Sequence, residues 1–580
     1  MREITVWSPE ARSVDVVFNS RPLAMTRQNS GWWTAPVPET GISSEYAFLV
    51  DGQGPFPDPR SPCQPRGVNG PSRLVDHSAF PWTDHSWQQG PFGSAVVYEL
   101  HVGTFTPEGT FDAVISRLDH LVDLGITHVE IMPVAEFSGT RGWGYDGVNL
   151  YAPHHAYGGP TGLKRLVNAC HAKGLGVLLD VVYNHLGPCG NHLGRFGPYF
   201  TDRYTTPWGD AVNLDGPDSN EVRRFFIDNA LMWLRDFHMD GLRLDAVHAI
   251  MDCSAVHFLE QLAREVQDLE SHLGRHLVLI AESDLNDPRL IRPPEIGGYG
   301  LTAQWNEDFH HAAHAALTGE RSGYYRDFGS LQDLADVLAR GFTYDGRYSA
   351  YRRRSHGRPA TGISGHRLVG CIQNHDQVGN RATGERIGHL VSLDRLKLAA
   401  ALLLTSPFTP MLFQGEEWSA SSPFLYFCDH EDPELNEAVR RGRQKEFASF
   451  DWDPETIPDP RTEETFRRSG LNWEERLHTP HSDMLTWYRT LLTIRSRTPA
   501  LRDGRLDRIS VHLHTESDIL TLSRGPLWVI LNFSSSPQTV SVPHASQKSI
   551  MACSKKCIIS EEHTLLLSAH CAVILGEKNS

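Results

Sequence analysis

Three carboxylates at the ends of short apolar runs are the residues most able to do chemistry. In Gly241-Leu242-Arg243-Leu244-Asp245-Ala246-Val247-His248, an apolar run ends in Asp245 with Arg243 two residues earlier. The period-2 alternation of a strand aims both side chains the same way. An arginine beside a carboxylate holds it ionised, which a carboxylate nucleophile requires at neutral pH. The unbroken apolar run Leu277–Ala281 leads into Glu282, where desolvation raises a carboxyl pKa and suits it to be a general acid. Gln373-Asn374-His375-Asp376-Gln377 follows the apolar Leu368–Ile372 and supplies a third carboxylate, Asp376, with His375 beside it as a hydroxyl donor. Each motif alone also has a structural account: a strand-end ion pair, a capping glutamate, an aspartate in a turn. Together they are far more specific, because three acids at the ends of three barrel strands converge on one face. Glycoside cleavage needs such a set: one carboxylate to attack the anomeric carbon, one acid to protonate the leaving oxygen, and a further group to stabilise the distorted sugar.

Two more motifs fall at the same rim. Asp180-Val181-Val182-Tyr183-Asn184-His185 ends another apolar run, and His185 reads equally as a hydroxyl donor or as a satisfied structural histidine. Arg141-Gly142-Trp143-Gly144-Tyr145-Asp146-Gly147 joins flexible backbone to two aromatics. Aromatic faces are platforms for sugar rings and also pack cores; core packing is favoured for Trp143 and less so for Tyr145, whose neighbour Asp146 seeks solvent. No GxxxxGK[ST] loop, GxSxG elbow or HExxH pair points to nucleotide, serine-hydrolase or metalloprotease chemistry.

Strand cores alternating with amphipathic helices must position these residues, the signature of βα units around a parallel sheet. The expected strands are Val96–Leu100, His128–Met132, Gly176–Val182, Gly241–Leu244, Leu277–Ala281, Ala303–Trp305, Leu368–Ile372 and Met411–Phe413, with helices such as Phe111–Leu124 and Glu221–Phe237 between them. Eight strands suit an α/β fold of the closed (β/α)8 barrel type. A doubly wound sheet would need a glycine-rich loop after the first strand, and His101–Pro107 is not one. The expected organisation is an N-terminal β-sandwich over 1–90, the catalytic barrel over 91–498 and a C-terminal β-sandwich over 499–580. Pro55–Pro71 is expected to be turn and loop. Within the barrel, the long excursion 186–214 should build the cleft. The stretch 428–480 reads as an irregular, solvated insertion carrying charged runs, followed by a helix over Ser482–Arg497.

A chain of 580 residues exceeds one hydrophobic core, and 40% hydrophobic with 21% charged residues is ordinary globular composition. Lys plus Arg total 54 against 70 for Asp plus Glu, giving −16, which argues against nucleic acid or an anionic membrane as partner. No signal-like or membrane-spanning apolar run is visible, so the expected location is cytoplasmic. Nine scattered cysteines read as buried thiols in a reducing compartment, without disulfide framework or zinc site. No metal or cofactor is required, because carboxylates alone account for the chemistry; structural calcium is left open.

In DVVYNH (Asp180–His185), GLRLDAVH (Gly241–His248), the strand-end Glu282 and QNHDQ (Gln373–Gln377), the sequence resembles the α-amylase clan of glycoside hydrolases. The resemblance implies Asp245 as nucleophile, Glu282 as acid/base and Asp376 as transition-state stabiliser, with Tyr145, His185, Arg243 and His375 around the reacting sugar. Within the clan, nearly the whole chain resembles the maltooligosyltrehalose trehalohydrolase family. The similar segments include Asp58–Ser72, Tyr98–Phe111, Arg141–Pro160, Ala281–Leu290, Gln304–His311 and Ser406–Trp418. That family hydrolyses the α-1,4 bond next to the trehalose end of maltooligosyltrehalose, after a partner synthase has made the substrate. The resemblance also implies an N-terminal sandwich like that of branching enzymes and isoamylases. A glucan branching transferase is the alternative, and the WGYD form counts against it because branching enzymes favour Gln at the place of Asp146. A non-enzymatic glucan-binding protein would have lost one or more acids, and all three are present. His248, Asp308 and Phe309 are candidates for the leaving-group side, each also open to a structural reading. Cys189 and His192 depart from the family pattern in a loop expected to border the cleft, and Ser546–Ser580 matches only weakly.

Overall fold

A computed structural model of the chain describes residues 3–37, 45–430, 432–447, 457–542, 547–559 and 564–577. Eight parallel strands close on one another: β1 (Val97–Leu100), β2 (His128–Ile131), β3 (Gly176–Val181), β4 (Gly241–Leu244), β5 (Val278–Ala281), β6 (Ala303–Trp305), β7 (Leu368–Cys371) and β8 (Thr409–Phe413), with β8 pairing back to β1. These are the eight expected runs. All eight strands are buried along their whole length, which is why they read as continuous apolar runs rather than as alternating ones.

Alternation reappears in where the side chains go. Leu242 and Leu244 of β4 and Leu279 and Ala281 of β5 pack outward in the main core, while Val278 and Ile280 belong to a separate cluster with Ala303, Trp305, Val369 and Met411. The next position after Arg243 and Ile280 in each inward row is an acid, Asp245 and Glu282. Strands β4 and β5 pair in register, Leu244 opposite Ala281, so the two acids leave neighbouring strands at the same level.

The helices that cover the barrel include α1 (Gly159–Ala172), α2 (Ser219–Asp236), α3 (Phe258–Leu273), α4 (Glu307–Thr318), α5 (Leu393–Thr405) and α6 (His481–Arg497). The single helix expected over Phe111–Leu124 is two short ones, Phe111–Ile115 and Leu118–Leu124. Helix α4 begins at Asn306, whose side chain accepts from Phe309 N at 3.3 Å; this is an ordinary N-cap. It fixes where the residues just after β6 point.

Before the barrel lie two antiparallel sheets. One runs Glu3–Trp7, Trp32–Pro36, Thr26–Arg27; the other runs Arg21–Ala24, Val14–Phe18, Glu45–Val50, Gln53–Phe56. Apart from Pro55 and Phe56 in the last of these strands, the stretch expected as loop, Pro55–Pro71, carries no helix or strand. After the barrel, a five-stranded sheet (Ile509–His514, Ile519–Arg524, Leu527–Asn532, Cys571–Glu577, Lys548–Cys553) faces a three-stranded one (Gln538–Ser541, Thr564–Leu567, Cys557–Ile559). Ile519, Ile530, Val540, Leu565, Leu567 and Val573 fill the space between them.

The stretch 428–480 is more regular than expected. It contains the helices Pro433–Phe447 and Glu463–Arg468; residues 431 and 448–456 of it lie outside the described residues. Salt-bridged pairs three and four apart, such as Arg440–Glu437 and Arg467–Glu463, are what its charged runs supply to these helices. Parts of the expected terminal modules, 1–2, 38–44, 543–546, 560–563 and 578–580, also lie outside the described residues. All nine cysteines are free thiols, four of them buried and Cys253 exposed, so burial is a weaker rule than expected. Among the described residues no helix is long and apolar enough to cross a membrane.

Candidate active site

One guanidinium organises the mouth of the barrel. Arg243 is fully buried, and its Nη1 lies 2.7 Å from Asp180 Oδ2 and 2.9 Å from Asp245 Oδ1, while Nη2 lies 2.9 Å from Glu282 Oε2. Its flat face rests on Trp305, 4.1 Å from ring centre, a cation–π contact that fixes the fork without using a donor. Asn184, one turn past β3, donates from Nδ2 to both Asp245 Oδ2 (2.7 Å) and Asp245 O (2.8 Å). Ala246 takes a left-handed φ of 38°, an uncommon conformation for a residue with a side chain. That turn points Ala246 N at Glu282 Oε2, 2.7 Å away.

The same surroundings split the two acids. Burial pushes the Asp245 carboxyl up, but the Arg243 charge, His185 and the hydrogen bonds from Asn184 and Arg243 outweigh it and hold the group below the ordinary aspartate range. For Glu282, burial wins over Arg243, and the negative charges of Asp245 and Asp376 add to it, so its carboxyl stands well above the ordinary glutamate range. The surroundings thus favour the anion at Asp245 and the acid form at Glu282, the division of labour that paired acid/base chemistry needs.

A second chain of polar groups runs beside the first. Glu99 on β1 accepts from His375 N (2.8 Å) and from His375 Nδ1 (2.5 Å), and His375 Nε2 meets Tyr145 OH at 2.7 Å. Tyr145 OH in turn donates to Asp180 Oδ2 at 2.7 Å. Burial pulls the His375 pKa down, but the Glu99 charge and hydrogen bond more than compensate, and the net shift is upward. A protonated His375 donating from both nitrogens satisfies the whole row. Burial lifts Asp180 to about 6 despite the opposing Arg243 charge.

These groups open into a cavity of about 400 Å³, lined among others by Tyr145, Asp146, His185, Asp245, His248, Glu282, His375 and Asp376. Eight of the eleven residues expected from the sequence thus share one space, and Arg243 lies buried beneath them. His185 engages the Tyr145 carbonyl through Nε2 at 3.0 Å and Asn184 Oδ1 through Nδ1, so its ring edge is committed to protein partners. Its face is covered by Trp208, 4.4 Å away and parallel within 3°. Trp208 stands at the turn between Phe200–Thr206 and Gly209–Val212, a hairpin within 186–214, and is 49% exposed. Trp143 is mainly wall: buried, stacked on Phe424 at 5.2 Å and donating to Leu425 O at 2.9 Å. Asp146 at the rim faces His430 at 3.6 Å.

Asp308 and Phe309 do not reach the cavity. Asp308 is instead turned to the backbone of the following segment, where its Oδ2 accepts from Thr343 N (2.8 Å) and Tyr344 N (2.7 Å). Phe309 is 0% exposed and packs on Phe408, ring centres 5.3 Å apart. Cys189 and His192 also lie outside the residues lining this cavity and the next; His192 bonds Asn69 (3.0 Å) and packs at a tilt against Phe56 (5.2 Å between ring centres), tying the loop to the N-terminal sheets.

A second space of about 420 Å³ shares Asp376 and Asn380 with the first and is lined by Asp284, Glu307, Tyr324, Tyr351, Arg352 and others. Tyr351 and Arg352 lie in the hairpin between Tyr348–Ser349 and Arg354–Ser355. It is strapped down by Asp327, which accepts from Tyr351 N at 2.9 Å and from Ser349 Oγ, while Ser349 Oγ accepts from Arg352 N at 2.9 Å. Arg352 reaches Asp284 at 2.6 Å. Of the residues that line this space alone, Glu307 stands next to Asp308 and Asp284 lies within the similar segment Ala281–Leu290, whereas Tyr324, Tyr351 and Arg352 carried no signal in the sequence. Glu99 had one: it is a lone charge inside the apolar run of β1.

Among the described residues, one His/carboxylate cluster outside the cleft, Glu136 with His154 and His155, has metal-like proximity. His154 Nδ1 accepts from Ala156 N at 3.1 Å, so the ring proton sits on Nε2, the atom that faces Glu136, and offers no lone pair there. His155 Nδ1 donates to Glu136 at 2.6 Å, which raises the His155 pKa. The cluster is a hydrogen-bonded ion pair beside a neutral histidine.

Comparison with known proteins agrees with this geometry. The family described as alpha amylase, catalytic domain, matches residues 74–194. A malto-oligosyltrehalose trehalohydrolase of Arthrobacter ramosus is 52% identical over 547 residues, covering 93% of this chain and 94% of its own length. A solved structure from Salmonella typhimurium, provisionally described as an alpha amylase, superposes with a TM-score of 0.91 at 38% identity, covering 99% of this chain and 97% of that one. A 1,4-alpha-glucan branching enzyme of Mycobacterium bovis is 31% identical but covers only 53% of this chain and 47% of its own. The chain belongs to the malto-oligosyltrehalose trehalohydrolase family, glycoside hydrolases of the alpha-amylase type.

Proposed function

We propose that this enzyme hydrolyses the α-1,4-glucosidic bond next to the terminal trehalose of maltooligosyltrehalose and releases trehalose with retention at the anomeric carbon. The observation that carries the mechanism is Arg243 bridging Asp245, held ionised, and Glu282, held protonated. An Asp245 oxygen attacks the anomeric carbon while Glu282 gives its proton to the departing glucosidic oxygen, leaving a glucosyl ester on Asp245. Trehalose departs. Glu282, now a carboxylate, takes a proton from water, the hydroxide attacks the same carbon, and Asp245 is released as the carboxylate with Glu282 again protonated. Two carboxylates on a single guanidinium support the spacing of about 5–5.5 Å that retention requires, rather than the wider spacing of inverting enzymes. Asp376, which lines both cavities, stabilises the distorted sugar.

The glucan chain lies on the side of Tyr145, Asp146, His185, Trp208 and His375, with His248 at the rim, and trehalose leaves through the cavity of Tyr324, Tyr351 and Arg352. The substrate comes from a partner synthase that converts the reducing end of a glucan into trehalose, and we place both steps in the cytoplasm. Product analysis on maltotriosyltrehalose and, separately, on maltopentaose tests the reading. Rapid trehalose release with little action on the plain oligosaccharide is expected; new α-1,6 branches or chain-shuffled products would overturn it in favour of a transferase.

A further inference from the structure

The second cavity contains one carboxyl without a hydrogen-bond or ion-pair partner among the described residues. Asp284 is held by Arg352 at 2.6 Å, Glu320 by His314 at 2.8 Å and by Arg381 at 2.9 Å, and Asp376 accepts from Asn380. Glu307, the first residue of α4, lines the same space, and its carboxyl has no hydrogen-bond or ion-pair partner among the described residues. A carboxyl that faces a cleft and is not held by the protein keeps its donor and acceptor capacity for a ligand. Glu307 also sits close enough to Glu282 for the two carboxyls to act on each other, so a ligand group that meets it lies beside the bond that breaks.

We propose that Glu307 is a specificity-determining residue of the leaving-group site, whose carboxyl hydrogen-bonds a hydroxyl of the departing disaccharide. The proposal rests on the hydrolase reading above and extends it to the chemistry of the leaving side. Its protonation fits a neutral polyol. Burial and the negative charges of Asp284 and Asp376 lift the group to about 8, against the lowering effect of Arg352, with Asp308 adding a smaller upward push. The helix N-terminus on which Glu307 stands would favour the anion, and it is outweighed. Near neutral pH the group therefore carries a proton and can both donate to and accept from a sugar hydroxyl, and no charged ligand is needed to balance it. Helix geometry separates Glu307 from its neighbours: successive side chains turn by about 100°, which sends Asp308 to the 343–344 backbone and Phe309 into the core while Glu307 faces the cavity.

The test uses the full-length enzyme and compares Glu307→Ala with Glu307→Gln, an uncharged side chain of the same length that keeps a donor and an acceptor. Losing a hydrogen bond to a substrate hydroxyl is worth about tenfold. Glu307→Ala is expected to raise both KM for maltotriosyltrehalose and the inhibition constant for free trehalose by about tenfold, with a smaller effect on kcat. Glu307→Gln is expected to restore most of that loss and to leave the pH profile of kcat/KM in place near neutrality. Should the alanine variant fail to fold, Glu307→Asp, which retracts the same group, is expected to weaken trehalose inhibition in the same direction. Unchanged trehalose inhibition in the alanine or aspartate variant overturns the proposal, as does a glutamine variant as impaired as alanine, which would mean the group works as an anion. A wild-type enzyme that releases no trehalose would instead overturn the reading on which the proposal rests, and that outcome is read before any variant is made.

Discussion

The two halves of the cleft are built in different ways. On the side proposed for the glucan, almost every polar group leaves the end of a barrel strand and is locked by another: Arg243 by Asp180, Asp245 and Glu282, and His375 by Glu99 and Tyr145. On the side proposed for the leaving group, most of the lining comes from the segment between β6 and β7, joined by Asp284 after β5 and Asp376 after β7, and it is held by straps, Asp308 on Thr343 and Tyr344, and Asp327 on Tyr351. Chemistry that must be aimed to a fraction of an ångström is placed on strands, whereas selectivity for a particular leaving group is placed where the chain can vary without disturbing the barrel.

The contrast can be broken at three points. Asp245→Asn should lower kcat by about 10⁴-fold or more, since residues acting as a unit fail together, while the unfolding transition stays within a few degrees of the parent; substantial turnover in a clean preparation would remove Asp245 from the nucleophile role. Asp308→Ala should act on the other half. It leaves two buried backbone N–H groups without their acceptor, at a cost of about 1–3 kcal/mol, and it should raise KM for maltotriosyltrehalose severalfold through the loosened 343–355 segment. Denaturant unfolding beside steady-state kinetics decides this, and a variant unchanged in both would show that the straps do not shape the cavity. Trp208→Ala should have the smallest effect, about fivefold in KM, the worth of one aromatic contact of about 1 kcal/mol. An equal loss of trehalose inhibition in that variant would show that Trp208 serves the leaving side and would redraw the division.

Legibility in the sequence follows the same line. The eight strands were readable because burial on both faces writes continuous apolar runs, and the acids because Asp245 and Glu282 directly follow two of those runs and Asp376 comes shortly after a third. The straps and loops have no such grammar. Asp308 and Phe309 were expected at the site from a segment whose place in the fold is right, yet the cavity residue is their neighbour Glu307, because helical rotation sends three consecutive side chains in three directions. Trp208 was hidden in a hairpin whose register only pairing defines. His192 was expected at the cleft because 186–214 borders it, but an aromatic neighbour on the N-terminal sheets, Phe56, claims it. The stretch 428–480 read as irregular because its helices carry so much charge; pairs of opposite sign on successive turns are what those charges are for.

Arg243 has a consequence for the catalytic cycle as a whole. In the resting site it faces one carboxylate and one carboxylic acid in Asp245 and Glu282. In the proposed cycle, when Asp245 becomes an ester it surrenders its negative charge, and in the same step Glu282 acquires one by giving up its proton. The guanidinium therefore has a single anionic partner of this pair at every stage, first on one prong and then on the other. Like the pivot of a balance beam, it need not move while the load passes across it, and the buried mouth of the barrel goes through bond cleavage and hydrolysis without a change in its total charge.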